Sequence, residues 1–82
     1  MQSLKTSEWE ARIRPGVSLL RLHDSLWRVT LPSGQMLGYV EQFLADGGRR
    51  FRAKRLIPRQ NRFLVVGEFW SADDAVESLR NG

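Results

Sequence analysis

The hydrophobic period of this chain changes once, at Ser71, and that change limits the folds open to it. From Ser71 onward Ala72, Ala75, Val76 and Leu79 recur at helical spacing. Ser71 stands as an N-cap, Asp73 and Asp74 sit in the first turn where the helix dipole favours negative charge, and Arg80 lies near the end, before Asn81-Gly82. Ahead of Ser71, from Val17 on, the period is two. A helix with one apolar stripe needs a partner, and the only one such segments offer is a face of a sheet. The expected fold class is therefore α+β: a small antiparallel β-meander of three to five strands packed on one C-terminal α-helix over about Ala72 to Leu79. Ala75, Val76 and Leu79 should bury against Phe51, Val65 or Phe69.

Turn chemistry divides the period-two region. Val17 to Leu22 is a short apolar run ended by His23-Asp24-Ser25. Leu26 to Leu31 alternates with Trp27, Val29 and Leu31 on one face and Arg28 and Thr30 on the other. Pro32-Ser33-Gly34 turns the chain, because Pro pre-sets one dihedral and Gly supplies positive φ. Met36 to Phe43 follows, with Leu37, Tyr39 and Phe43 alternating and Gly38 marking a bulge or a close backbone approach. Ala45-Asp46-Gly47-Gly48 reads as a hairpin turn built on Asp-Gly. Pro58-Arg59-Gln60-Asn61 turns the chain again into Arg62 to Phe69. This last strand is apolar on both faces, which predicts a central or doubly covered position.

Eighty-two residues make one domain, and a core of this size leaves a folding margin of only several kcal/mol. Residues 1–16 read either as a short helix or as a loose N-terminal segment: Ser7 and Glu10 have capping-box spacing, and Pro15-Gly16 stops whatever begins there. The chain has no cysteine, which excludes disulfides and thiolate metal sites. With no apolar run near the ~20 residues of a membrane span, a cytoplasmic protein is the expectation. A catalytic or metal role is not expected, and no cofactor is implied. His23 is the only histidine and has no second ligand or nucleophile nearby, while Gly47-Gly48-Arg49 lacks the spacing and the Lys-Ser/Thr ending of a phosphate-cradling loop.

What stands out chemically is charge. Arg49 to Arg62 holds seven of the thirteen cations and no acid, so that against a formal net charge of +4 the rest of the chain is net negative. Strand alternation points Phe51 and Ala53 one way and Arg50, Arg52 and Lys54 the other. Outward cations on an extended strand can meet phosphates. Arg59 and Arg62 from the following turn and strand can support them, and hairpin turns at Gly47-Gly48 and Asn61 allow close approach of the backbone. These cations are expected to be unpaired, repelling one another in the free protein.

The junction Val66-Gly67-Glu68-Phe69-Trp70-Ser71-Ala72-Asp73-Asp74-Ala75-Val76, together with Phe51-Arg52-Ala53-Lys54, resembles the last strands and helix start of the plant ethylene-response-factor type DNA-binding domain. It is also similar to the arm-binding domains at the N-termini of phage integrases. The resemblance covers roughly residues 49 to 79. It implies a three-stranded sheet that enters the DNA major groove with the face opposite the helix. On that reading Arg50, Arg52 and Lys54 contact DNA; with the rest of the basic run, Arg28 and the exposed ring, the candidate nucleic-acid-binding residues are Arg49, Arg50, Arg52, Lys54, Arg55, Arg59, Arg62, Arg28 and Trp70. The arginine-rich first strand of the plant domains is not present here, since Leu26 to Leu31 supplies only Arg28, and Arg55 stands where an apolar residue is expected. Backbone binding is therefore expected ahead of base reading.

Each feature has a blander alternative. The basic run is otherwise a solvated strand face, or the habit of a genome that prefers Arg, since eleven of the thirteen cations are Arg. A solvated face usually mixes signs, however. Trp27 reads as core. Trp70, opposite Phe69 in the alternation, is the better exposed ring. Glu41 and Glu68 read as surface charges, because alternating strands give no reason for them to converge. Two functions of different class follow: a non-enzymatic nucleic-acid binder, with double-stranded DNA ahead of RNA, or a small regulatory module that uses its last strand or its Arg face to bind an acidic protein partner.

Overall fold

A computed structural model describes residues 16–81, so the short helix or loose segment expected over residues 1–16 lies, but for Gly16, outside the described residues. Five strands follow one another: β1 (Ser18–His23), β2 (Leu26–Thr30), β3 (Met36–Ala45), β4 (Gly48–Ile57) and β5 (Arg62–Phe69). Each pairs antiparallel with its sequence neighbours, giving one sheet in the order β1-β2-β3-β4-β5. The chain then forms α1 (Ala72–Asn81), which packs on β3, β4 and β5. This is the expected α+β meander on one helix.

The turns work as their residues dictate. At Pro32-Ser33-Gly34 the amide of Gly34 donates to the Leu31 carbonyl at 2.8 Å, and Gly34 takes the positive φ, 95°, that closes the turn. Asp46-Gly47 joins β3 to β4 with Ala45 paired to Gly48. Pro58–Gln60 forms one 3₁₀ turn, ended by Asn61 in the left-handed conformation with its amide 3.2 Å from the Pro58 carbonyl. Ser71 caps α1: its Oγ accepts from the Asp74 amide at 3.4 Å and its carbonyl from the Ala75 amide at 3.2 Å.

The core lies between α1 and one face of the sheet. Trp27 and Val29 of β2, Val40 of β3, and Phe51 and Ala53 of β4 meet Ala72, Ala75, Val76 and Leu79, with Leu19, Leu37 and Phe69 packed around them. Residues directly opposite one another on paired strands share a face, and the register follows that rule: Trp27 pairs Val40, and Val40 pairs Ala53. The pairing shifts between Val29 and Thr30, which lets Leu37 reach the core while Tyr39 and Phe43, in its expected alternation, turn away.

Two expectations fail at β5. It is an edge strand, neither central nor covered on both faces, and Phe63, Leu64, Val65 and Val66 are 39%, 50%, 51% and 39% exposed. Val65 therefore does not support the helix; Phe51 and Phe69 do. Covering both faces of a strand takes a packed layer on each side of the sheet, and among the described residues only α1 supplies one, over one face. Among the described residues no helix is long and apolar enough to cross a membrane.

Candidate nucleic-acid interface

Because α1 covers one face of the sheet, alternation leaves on the other face, beside Leu20, Leu26 and Leu56, Arg28 of β2, Tyr39, Glu41 and Phe43 of β3, Arg50, Arg52 and Lys54 of β4, and Phe63, Val65 and Glu68 of β5. The register sorts these into rows across the strands. Glu41, Arg52 and Glu68 form one row; Arg28, Tyr39, Lys54 and Val65 form the next; Phe43 and Arg50 face each other on the far side.

The central row corrects two expectations. Glu41 and Glu68 do converge, one on each side of Arg52. Arg52 donates through Nη1 to Glu41 Oε1 at 3.0 Å, and through Nε and Nη2 to Glu68 Oε2 at 3.1 and 2.9 Å. Lys54 Nζ lies 3.2 Å from the same Glu41 oxygen. Arg52 and Lys54 are thus paired, and they do not simply repel one another. Burial pushes the Glu41 carboxyl upward, but the hydrogen bond and charge of Lys54, joined by those of Arg52, outweigh it and hold the carboxyl below its ordinary value. The hydrogen bonds that Arg52 donates to Glu68, against the opposing effect of burial and with help from Glu41, raise the Arg52 guanidinium above its ordinary value.

Aromatic rings interleave with these cations. The Arg52 guanidinium stands 4.3 Å from the centre of the Phe43 ring, and that of Arg50 stands 4.5 Å from the Trp70 ring. Arg50 also donates to the Glu68 carbonyl at 3.0 Å. Tyr39 and Phe63 stack with centroids 4.7 Å apart. Trp70 is 58% exposed, as its place in the alternation predicted, and Trp27 is fully buried, as expected of a core ring. Gly47 lies against the edge of the Trp70 ring, where a Cβ would come within 3.3 Å. Arg28 and Arg50 each have an Nε buried without a hydrogen-bond partner, and neither enters an ion pair among the described residues.

Four expected site residues lie elsewhere. Arg55 is on the helix side of the sheet, where it donates to the Leu79 carbonyl at 3.1 Å and the Ser78 carbonyl at 2.6 Å. Its place in the sequence, where an apolar residue is expected, is thereby accounted for: it satisfies the open carbonyls at the end of α1. Arg49 pairs Leu44 near the β3–β4 turn, on the side away from Arg50. Arg59 sits in the 3₁₀ turn and Arg62, opposite Ile57, heads β5, both at the other end of β4. The basic run is therefore spread over both faces and both ends of β4.

Glu41 was within reach of sequence reasoning. Counting back from a two-residue Asp46-Gly47 turn that pairs Ala45 with Gly48 puts Glu41 opposite Arg52. Glu68 was not: from the Ile57–Arg62 pair an unbroken register would place Gly67 opposite Arg52, and only the shift between Ala53 and Lys54, with Val66 as the extra residue, moves Glu68 there. Among the described residues no group of three His, Asp or Glu could hold a metal ion. Comparison with protein-family models, curated proteins and solved structures finds no match to this chain.

Proposed function

We propose that this domain is a nucleic-acid-binding module whose ligand is double-stranded DNA, held on the sheet face that α1 leaves uncovered. One observation carries the reading: that face gathers the cations Arg28, Arg50, Arg52 and Lys54 and the rings Tyr39, Phe43, Phe63 and Trp70 against only two carboxylates, Glu41 and Glu68. The resemblance over residues 49–79 implies use of the same face. Within it the cations divide their work. Arg52 and Lys54 spend donors on Glu41 and Glu68 and so make a fixed platform. Arg28 and Arg50 have no carboxylate partner among the described residues and are the first phosphate ligands.

Two to three phosphates neutralised by such a face imply a log-log salt slope of roughly −2 to −3 on duplex DNA. The test is a fluorescence-anisotropy titration of a labelled duplex at several salt concentrations. Arg28→Ala and Arg50→Ala should each flatten the slope by about one unit. No binding at low salt would overturn the reading and point to an acidic protein partner. Tighter binding to single strands that depends on Trp70 and not on Arg28 would replace duplex DNA by a stacked, unpaired strand.

A further inference from the structure

The free side of β5 is the feature that neither the core nor the cationic face uses. β5 is the last strand of the sheet, and no strand pairs with its outer side among the described residues. It runs for eight residues and contains neither Lys nor Pro. Side chains on both of its faces are open, Leu64 towards the helix side and Phe63 and Val65 towards the uncovered face. Such an edge is a template for another strand. The bulge at Val66 bends only its C-terminal half, and Arg62 to Val65 is regular.

We propose that β5 pairs antiparallel with β5 of a second copy of this chain, centred near Leu64 and Val65, so that two sheets join into one of ten strands. Charge selects this occupant and this direction. Phe63 to Gly67 is uncharged, with Arg62 at one end and Glu68 at the other. Antiparallel alignment sets the Arg62 end of each strand beside the Glu68 end of its partner, whereas parallel alignment would set like beside like. Symmetry selects it too. The sheet has a second free edge, β1, with Leu20 53% exposed, but joining β1 to β5 of the next copy would leave an edge open at each addition and grow without closing. The β5 pairing closes on a two-fold axis. That axis stands perpendicular to the sheet, so both uncovered faces lie on the same side and their cations form one continuous surface.

The experiment is sedimentation velocity on the protein alone, from low to high micromolar concentration. Expected is a concentration-dependent shift from 9.5 kDa to twice that mass. Val65→Lys, a change at an exposed position, should return the protein to monomer, and Leu20→Lys on β1 should leave the dimer intact. Amide exchange along β5 in the unmodified protein should slow as concentration rises, which tests the contact even if a variant folds poorly. A monomer at every concentration, a dimer that survives Val65→Lys, or one that Leu20→Lys abolishes would each overturn the proposal. Since no nucleic acid enters the experiment, its failure leaves the DNA-binding reading standing.

Discussion

Arg55 of β4 donates to the Leu79 carbonyl at 3.1 Å, tying the middle of the sheet to the last turn of the helix. The bond is charge-assisted, lies at the negative end of the helix dipole, and is doubled by the one to Ser78. Arg55→Ala should cost about 1.5–3 kcal/mol in urea unfolding. It should speed amide exchange at the end of α1 and leave DNA affinity unchanged, since this guanidinium does not reach the uncovered face. A loss of affinity with unchanged stability would reverse the assignment.

Gly38 lies directly across from Arg55, and a Cβ built there would run into the Lys54 carbonyl oxygen and the neighbouring backbone. Backbone cannot swing aside as a flexible side chain can. Gly38→Ala is expected to cost about 3 kcal/mol or more and to broaden or abolish the cooperative melt. Gly34→Ala, at a turn with open space around it, should cost only about 1 kcal/mol, for its positive φ alone.

Val76 is 2% exposed between the helix and the sheet, and no polar or charged residue is buried with it among the described residues. Val76→Asp would leave an unpaired charge there and should unfold a domain with this little reserve. Circular dichroism at 25 °C would show it. A variant with native spectrum and melting temperature would place α1 outside the core.

Glu41 gives the platform a pH dependence whose sign is set by its lowered carboxyl pKa. A group depressed on folding contributes stability that is complete well above the ordinary glutamate value of about 4.3 and is lost as pH falls through the lower folded value. The carboxylate is about one-third exposed, so solvent screening limits the contribution to about 0.5–1 kcal/mol. Stability measured between pH 6 and pH 3 should fall, and part of that fall should be missing in Glu41→Gln. An unchanged acid limb in the variant would show that the ion pairs with Arg52 and Lys54 contribute nothing.

Local chemistry was legible in the sequence wherever one residue decides the backbone around it. The cap at Ser71, the Asp46-Gly47 turn, the stop at Pro58 and the alternation that parts Phe51 and Ala53 from Arg50, Arg52 and Lys54 all hold in the structure. So does the division of the tryptophans, with Trp27 inside and Trp70 outside. Tertiary structure alone decided which strands had neighbours and which side chains met across them. The apolar pattern of β5 states that it prefers cover, but cover depends on what packs on the sheet and neighbours on the order of strands, and the fold gave β5 an edge position and one helix on one side. Glu68 reaches Arg52 because one extra residue, Val66, shifts a register that local periodicity carries unbroken. Arg55 has the same charge as Arg52 in the sequence and the opposite fate, because alternation turned it towards the carbonyls of a helix that arrives more than twenty residues later. Periodicity states which way a side chain points, and only the packed fold supplies what it points at.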